Sequence, residues 1–181
     1  MAVKIALISG MRGGKDTFAE PLIRQYQIQE LKFASGITEL IKVYFPSKLK
    51  EGKPRELYQQ IGQYMRSIDP DVWVNDLNWW YRYWQDRNVR DYIITDVRQP
   101  NEVKWCRDNG FTLVRICTPD EIRKQRIIDC GDQFESEQFY HETELHINSY
   151  SVDYNINGNC SKEELQQKAL ELYEQLIKEE Q

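Results

Sequence analysis

The sequence predicts an α/β fold: a mostly parallel five-stranded sheet flanked by helices. Three observations carry this reading. Apolar, β-branched runs such as Ile5 to Ile8 and Tyr92 to Ile94 lack alternation, as strands covered on both faces do. Stretches with helical spacing separate those runs along the chain. The first run also passes through a glycine-rich turn, Gly10-Met11-Arg12-Gly13-Gly14, directly into a helix.

Taken in order, Ala2 to Ile8 is the first strand, and a helix from Gly14 to about Tyr26 follows with Phe18, Leu22 and Ile23 on one face. Leu31-Lys32-Phe33-Ala34 is a short second strand. Ser35-Gly36 opens a helix carrying Ile37, Leu40, Ile41 and Phe45. Pro54 takes the tolerated first position of the next helix, whose apolar set is Leu57, Ile61, Tyr64 and Met65, with Arg66 near its end. Asp69-Pro70-Asp71 breaks the chain before a helix through Trp73, Leu77, Trp80 and Trp84. Tyr92 to Asp96 is a buried strand ending on a carboxylate. A helix from about Asn101 to Asn109 is stopped by Gly110. Phe111 to Cys117 is a further strand, and Thr118-Pro119-Asp120 caps a helix bearing Arg123 and Arg126. Cys130 to Glu144 is polar and charged and reads as a mobile flap. Val152 to Ile156 is the last strand. After the Asn157-Gly158-Asn159 turn, Ser161 and Glu164 form a capping box for a helix to about Ile177.

At 181 residues the chain is one domain by length, large enough for a real core. Its net charge of −5 argues against a nucleic-acid footprint, which shows as a basic patch or stripe. No apolar run approaches membrane-spanning length, and the N-terminal apolar segment lacks the length and cleavage site of a signal peptide. Cys106, Cys117, Cys130 and Cys160 form no Cys-x-x-Cys pair, which disfavours zinc and fits free thiols in a reducing cytosol. His141 and His146 have no His-Glu-x-x-His between them. No repeat, low-complexity tract or linker is visible. The expectation is a cytoplasmic protein that acts on small molecules, without nucleic acid or membrane as partner.

The chemistry concentrates at the C-terminal strand ends, where ligands of such sheets bind. A helix N-terminus carries unpaired N–H groups and the positive end of a dipole. Glycines let the preceding backbone curl round a polyphosphate, and Lys15 adds a mobile charge at the outer phosphates. An ordinary glycine turn before a helix is the plainer alternative. Gly10, Met11, Arg12, Gly13, Gly14, Lys15, Asp16 and Thr17 are the cradle, and the Thr17 hydroxyl is a ligand for magnesium. The pattern departs from Gly-x-x-x-x-Gly-Lys-Ser/Thr: Ser9 and Arg12 stand where glycine is usual, and the hydroxyl arrives one place late. Asp96, at a strand end, is placed as a carboxylate for metal-bound water. Asp16 either shares that role or serves as a first-turn helix charge.

Phosphoryl transfer asks mainly for positioning and positive charge. Arg98, Arg66 and the pair Arg123 and Arg126, three apart on one helix face, are the candidates, each against the alternative of a solvated surface arginine. The ring cluster Trp79-Trp80-Tyr81-Arg82-Tyr83-Trp84 points first to core packing. Base stacking and a homodimer interface are the alternatives.

With these residues in place, the sequence resembles the P-loop nucleoside monophosphate kinases, and among them the bacteriophage-type deoxynucleoside monophosphate kinase family. The resemblance rests on Gly14-Lys15-Asp16-Thr17, on Arg55 through Gln60-Ile61-Gly62-Gln63 to Arg66, and on Pro70-Asp71-Val72-Trp73. It continues in Asp96-Val97-Arg98-Gln99-Pro100-Asn101-Glu102, in His141-Glu142-Thr143-Glu144, and in Asp153 with Asn157-Gly158. It implies a three-layer P-loop NTPase fold in one domain over 1–181. Within it, about 35–90 would be a helical acceptor-binding (NMP-binding) insertion and about 118–145 a lid. It implies ATP as phosphoryl donor, Mg²⁺, and a (deoxy)nucleoside monophosphate as acceptor. By the same resemblance Lys15 and its loop hold the ATP phosphates, Arg66 and Arg98 hold the acceptor phosphate, and Arg123 and Arg126 close over the phosphates. Asn157-Gly158 would flank the donor adenine. Asp96 joins Thr17 at the metal, and Phe33 and Trp73 offer stacking surfaces to the acceptor base.

Two rival readings share the loop. A kinase of another small phosphorylated metabolite, phosphomevalonate kinase-like, would need no base-stacking surface. A non-catalytic ATP-binding switch would need few arginines on the acceptor side.

Overall fold

A computed structural model describes residues 2–50, 54–130 and 147–179. In chain order its elements are β1 (Lys4–Ile8), α1 (Lys15–Tyr26), β2 (Gln29–Leu31), α2 (Ser35–Tyr44), a 3₁₀ turn (Pro46–Leu49), α3 (Arg55–Ile68) and α4 (Val72–Gln85). Then come β3 (Tyr92–Val97), α5 (Pro100–Asp108), β4 (Thr112–Cys117), α6 (Asp120–Asp129), β5 (Tyr154–Asn157) and α7 (Lys162–Glu179). They fall into two compact units, Met1–Glu30 with Val89–Gln181, and Leu31–Asn88.

The first unit carries the predicted architecture, a five-stranded parallel sheet in the order β2-β3-β1-β4-β5 with helices on its faces. The apolar runs end up central. β1 is buried from Ile5 onward and pairs with β3 on one side and β4 on the other. On one sheet face Ile5, Leu7, Ile93, Val114 and Ile116 pack against Phe18 and Leu22 of α1 and Leu165, Ala169 and Leu172 of α7. Each of these side chains larger than alanine contributes about 1.5–3 kcal/mol by leaving water. The β1–β3 register jumps: Ala6 faces Ile94 but Ile8 faces Val97, so β3 spends three residues where β1 spends two. Bulges of this kind re-aim side chains at strand ends. This one falls at Thr95 and Asp96.

Several expectations are corrected. The second strand is Gln29–Leu31 rather than Leu31 to Ala34, because Ser35 N–H already closes a turn on Lys32 O at 3.1 Å. Phe33 is buried in that turn. β5 begins at Tyr154 instead of Val152. Pro54 sits at the N-cap of α3 rather than inside it. The α7 capping box is present, with Ser161 N–H on Glu164 Oε2 at 2.9 Å and Glu164 N–H on Ser161 Oγ at 3.1 Å. The expected flap lies, after Cys130, outside the described residues, as does His141-Glu142-Thr143-Glu144.

The second unit consists of α2, α3, α4 and the 3₁₀ turn. The buried stripe of α4 is Trp73, Val74, Leu77 and Tyr81; Trp80 is 37% exposed and Trp79 58%, so the ring cluster mainly lines an outer face. Trp79 and Tyr83 stack there, and the Arg87 guanidinium lies 3.5 Å from the Tyr83 ring centre. Tyr64, expected in the apolar set of α3, is exposed. No described helix is long and apolar enough to cross a membrane.

Candidate active site

The loop after β1 starts at Ser9, which is buried, and closes on itself through Gly13 N–H to Gly10 O at 3.1 Å. Two of its glycines are required by space. A Cβ on Gly13 would lie 1.9 Å from Ser9 Oγ. One on Gly14 would lie 2.7 Å from Leu165 Cδ2, and Gly14 also takes a φ of 104°. Arg12 adopts a φ of 58°, a left-handed conformation that costs a residue with a Cβ about 1–2 kcal/mol. The backbone therefore makes the turn that a third glycine would have made easily. Gly14 is the N-cap of α1 and brings no side-chain acceptor to the first-turn N–H groups. The Lys15 ammonium folds back on Ser9 O at 2.5 Å and Gly10 O at 3.0 Å.

α6 and the end of β4 fasten this loop from outside. Met11 packs on Ile127 of α6, both buried. Arg123 Nη1 donates to Met11 O at 3.2 Å while its Nη2 is held by Asp120 Oδ1 at 2.7 Å. Arg126 donates through Nη1 to Arg12 O at 3.3 Å and through Nη2 to Gly158 O at 2.9 Å. The Thr118 hydroxyl, expected to help cap α6, donates instead to Gly13 O at 2.9 Å, and α6 has no side-chain cap. Three consecutive loop carbonyls thus face the β4–α6 side. In trans peptides the N–H points opposite to the C=O, so the N–H groups of Arg12, Gly13 and Gly14 turn away from α6. Gly158 completes the joint: its N–H bonds Cys117 O at 2.8 Å, and a Cβ there would lie 2.1 Å from Thr118 Oγ1.

Asp96 and Arg98 stand at the end of β3. Val97 is level with Ile8, which sets Arg98 beside the first residue of the loop. Both are half-buried. Arg98 N–H donates to Glu102 Oε2 at 2.8 Å and Gln99 N–H to the same oxygen at 3.0 Å, the N3 arm of a capping box that opens α5. Tyr150 Oη donates to Arg98 O at 3.0 Å. On the far side of the sheet, Asn157 Oδ1 accepts the Asn159 N–H at 2.9 Å, and Asn157 O accepts Lys168 Nζ at 3.1 Å. Asn157, Cys160, Gln167 and Lys168 line an open cleft of about 440 Å³.

The first unit therefore brings Gly10 to Thr17, Arg123, Arg126 and Gly158 together, with Asp96 and Arg98 at the neighbouring strand end. Thr17 is half-buried and Asp16 exposed in the first turn of α1. Phe33, Arg66 and Trp73 belong to the second unit. There Trp73 is buried and its Nε1–H donates to Gly62 O at 3.2 Å. Arg66 Nη1 reaches Gln63 Oε1 at 3.4 Å and lies 3.2 Å from where a Cβ on Gly62 would stand. A Cβ on Gly36 would be 2.8 Å from the Trp73 ring. Asp76 takes the Gly36 N–H, yet burial raises its pKa, and its Oδ2 has no hydrogen-bond partner among the described residues.

Sequence reasoning set Thr118 at the ligand-binding strand ends without its bond to the loop, and passed over Glu102 and Tyr150 as site residues. Glu102 had a signal, since Gln99-Pro100-Asn101-Glu102 carries proline at N1 and an acid at N3. Tyr150 had none, and the partner of Thr118 had none, because both bonds join residues distant in the sequence.

Fold and loop together define a class. A parallel sheet in this strand order, with helices on its faces and a glycine-rich, lysine-bearing loop after its central strand, is the three-layer P-loop fold, and it matches the fold of shikimate kinases. Among solved structures the chain is similar to shikimate kinase from Acinetobacter baumannii in complex with shikimate, at 14% identity and a TM-score of 0.63 over 99% of this chain and 95% of that one. It is also similar to shikimate kinase from Aquifex aeolicus, at 18% identity and a TM-score of 0.53 over 97% and 98%. A sugar kinase from Janibacter follows at 17% identity and a TM-score of 0.57 over 94% and 93%. At these identities the likeness is one of fold. No family model matches the sequence, and no curated protein matches it.

Proposed function

We propose that the chain transfers the γ-phosphoryl group of ATP to a (deoxy)nucleoside monophosphate, giving the diphosphate and ADP. The observation that carries this is the loop itself: Lys15 inside it, N–H groups turned from α6, and two α6 arginines bonded to its carbonyls. The Lys15 ammonium, which now holds two neutral carbonyls, meets a better acceptor in a phosphate oxygen, since charge-assisted hydrogen bonds are about twice as strong. The cradle suits a polyphosphate, because Gly14 leaves the first-turn N–H groups of α1 without a side-chain acceptor and Lys15 stands beside them. Magnesium fits the oxygen donors Thr17 and Asp96. The described residues hold no cluster of three acidic, His or Cys groups, and magnesium in kinases needs only one or two carboxylates beside phosphate oxygens. When bound, the ion neutralises charge on the phosphates.

The chain's own work is positional. Lys15 and the loop N–H groups hold the donor phosphates, Arg98 holds the acceptor phosphate, and Arg123 and Arg126 close the loop from α6. An acceptor phosphate is already anionic at neutral pH, so it requires cations rather than a base. Support for a nucleotide acceptor is the motif from Asp96 to Glu102.

A second reading has its own support in the fold likeness to shikimate and sugar kinases. The acceptor there would be a hydroxyl, and Asp96 would take its proton. Coupled ADP release with ATP and Mg²⁺ separates the two. Turnover with dTMP, dGMP, dCMP, dAMP, UMP or AMP supports the first reading. Turnover only with shikimate or a sugar replaces it with the second, and Asp96→Asn is then the variant that stops the reaction. ATP binding without turnover on any of them leaves the switch.

A further inference from the structure

We propose that Glu102 and Tyr150 are positioning residues: together they clamp the peptide between Arg98 and Gln99 and so fix where the Arg98 guanidinium stands. The inference rests on the reading that Arg98 meets the acceptor phosphate. The peptide is held at both of its polar ends. Its carbonyl, Arg98 O, accepts the Tyr150 hydroxyl at 3.0 Å, and its N–H, on Gln99, donates to Glu102 Oε2 at 3.0 Å. The same carboxylate oxygen takes the preceding N–H, on Arg98, at 2.8 Å. Two successive peptide planes are thereby fixed by side chains from outside β3.

Helix capping alone does not account for Glu102. The chain uses the same device on α7, where Glu164 receives the Ser161 N–H while exposed to solvent. Glu102 is 2% exposed, one of three buried polar or charged residues among those described. Burial of a carboxylate is costly unless donors surround it. That cost is unnecessary for a cap and is explained by a carboxylate that must hold one strand end rigidly.

Tyr150 is anchored in its turn. Arg115 of β4 donates to Ile147 O at 3.1 Å and to Tyr150 O, which ties this stretch to the sheet. Burial, with the Glu102 charge second, raises the Tyr150 pKa, so its hydroxyl stays protonated as the donor. The strand end of β3, the first turn of α5 and a segment tied to β4 thus converge on one peptide. That peptide starts at Arg98, the residue after Val97, which is level with Ile8 where the loop begins. A displacement of about 1 Å at a positioning group can cost about a hundredfold in rate.

The test uses Tyr150→Phe and the pair Glu102→Gln and Glu102→Ala in the full chain, with two readouts. Amide hydrogen exchange at Arg98 and Gln99 reads the clamp. Separate KM values for the acceptor monophosphate and for ATP read its consequence. Tyr150→Phe speeds exchange at Gln99 and raises the acceptor KM about five- to tenfold, as loss of one hydrogen bond predicts, with the ATP KM and Tm nearly unmoved. Glu102→Gln, which keeps an acceptor oxygen, recovers most of what Glu102→Ala loses. Unchanged exchange at Gln99 in Tyr150→Phe overturns the clamp whether or not the wild type uses a monophosphate. Equal rises in both KM values with a falling Tm also overturn it, leaving ordinary stabilisation. A wild type silent with every monophosphate, beside faster exchange in the variants, upholds the clamp and defeats the acceptor reading instead.

Discussion

Arg98 and the α6 arginines show how much a side chain's role depends on its backbone. Arg98 projects from a strand end whose peptides are held by Glu102 and Tyr150, whereas Arg123 and Arg126 reach across 112 and 114 residues to the loop. In the proposed reaction these arginines serve different substrates, and truncation should separate them. Arg98→Ala is expected to raise the acceptor KM at least tenfold, about the worth of a hydrogen bond to a charged group, and to leave ATP affinity within twofold. Isothermal titration with a non-hydrolysable ATP analogue, beside steady-state kinetics, checks both halves. A selective loss of ATP affinity would move Arg98 to the donor side.

The element scale is where sequence and structure part company, and for traceable reasons. The strand, loop and helix start around Lys15 were legible because apolar burial and glycine spacing are local signals. β2 was misplaced because it is the edge strand of the sheet. Edge strands are short and need no apolar run, so the polar Gln29-Glu30 gave no sign, while the apolar Phe33 drew the assignment into what is a turn. Periodicity ran the apolar set of α4 through Trp73, Leu77, Trp80 and Trp84; the structure buries Trp73 and Leu77 but carries the stripe on through Val74 and Tyr81, because spacing alone does not say which way an apolar stripe continues round a helix with rings on every face. Thr118 was expected to cap a helix, the commonest local use of threonine there, and is instead bonded across the site. That bond makes the β4–β5 joint intolerant of bulk. Gly158→Ala should push Thr118 off Gly13 O, cost about 1–3 kcal/mol, and weaken nucleotide binding. Denaturant titration and nucleotide titration of the one variant measure both effects.

Two carboxylates held by packed elements predict opposite pH responses. Burial alone would push Asp153 up, but its hydrogen bonds to Arg107 and to the Leu113 N–H hold it below the ordinary carboxylate range. Its stabilising contribution is therefore complete above the unfolded value of about 3.9 and is lost as pH falls through the lower folded value. Asp76 runs the other way. Burial raises its pKa, so the folded state favours the protonated form and loses stability as pH rises through that raised value. At pH 7 Asp153→Asn should lower Tm by a few degrees, whereas Asp76→Asn, which keeps an acceptor for Gly36, should raise it or leave it unchanged. Thermal melts from pH 3 to 8 should show both differences shrinking toward the acid end, with opposite sign.

For the whole molecule, any ligand of the folded state adds stability by mass action. ATP with Mg²⁺ at about a hundredfold its Kd should contribute about 2.7 kcal/mol, or about 5–10 °C in Tm for a chain of this length. Lys15→Ala should lose most of that shift and its phosphoryl transfer, because the charge that follows the outer phosphates is gone. An undiminished shift in Lys15→Ala would mean that nucleotide binds away from this loop.

Cys106 lies one helical turn beyond Glu102 on α5, fully buried, its thiol pKa raised well above the usual value by burial first and by the Glu102 and Asp96 charges after it. Cys117 and Cys130 are exposed and Cys160 is partly so. A thiol reagent therefore meets three accessible sulfurs and one closed in the native fold. The slow fourth labelling event is a clock set into the helix that holds the Arg98 strand end. Its rate reports how often α5 lifts from the sheet, and acceptor or ATP can each be asked whether it slows that opening.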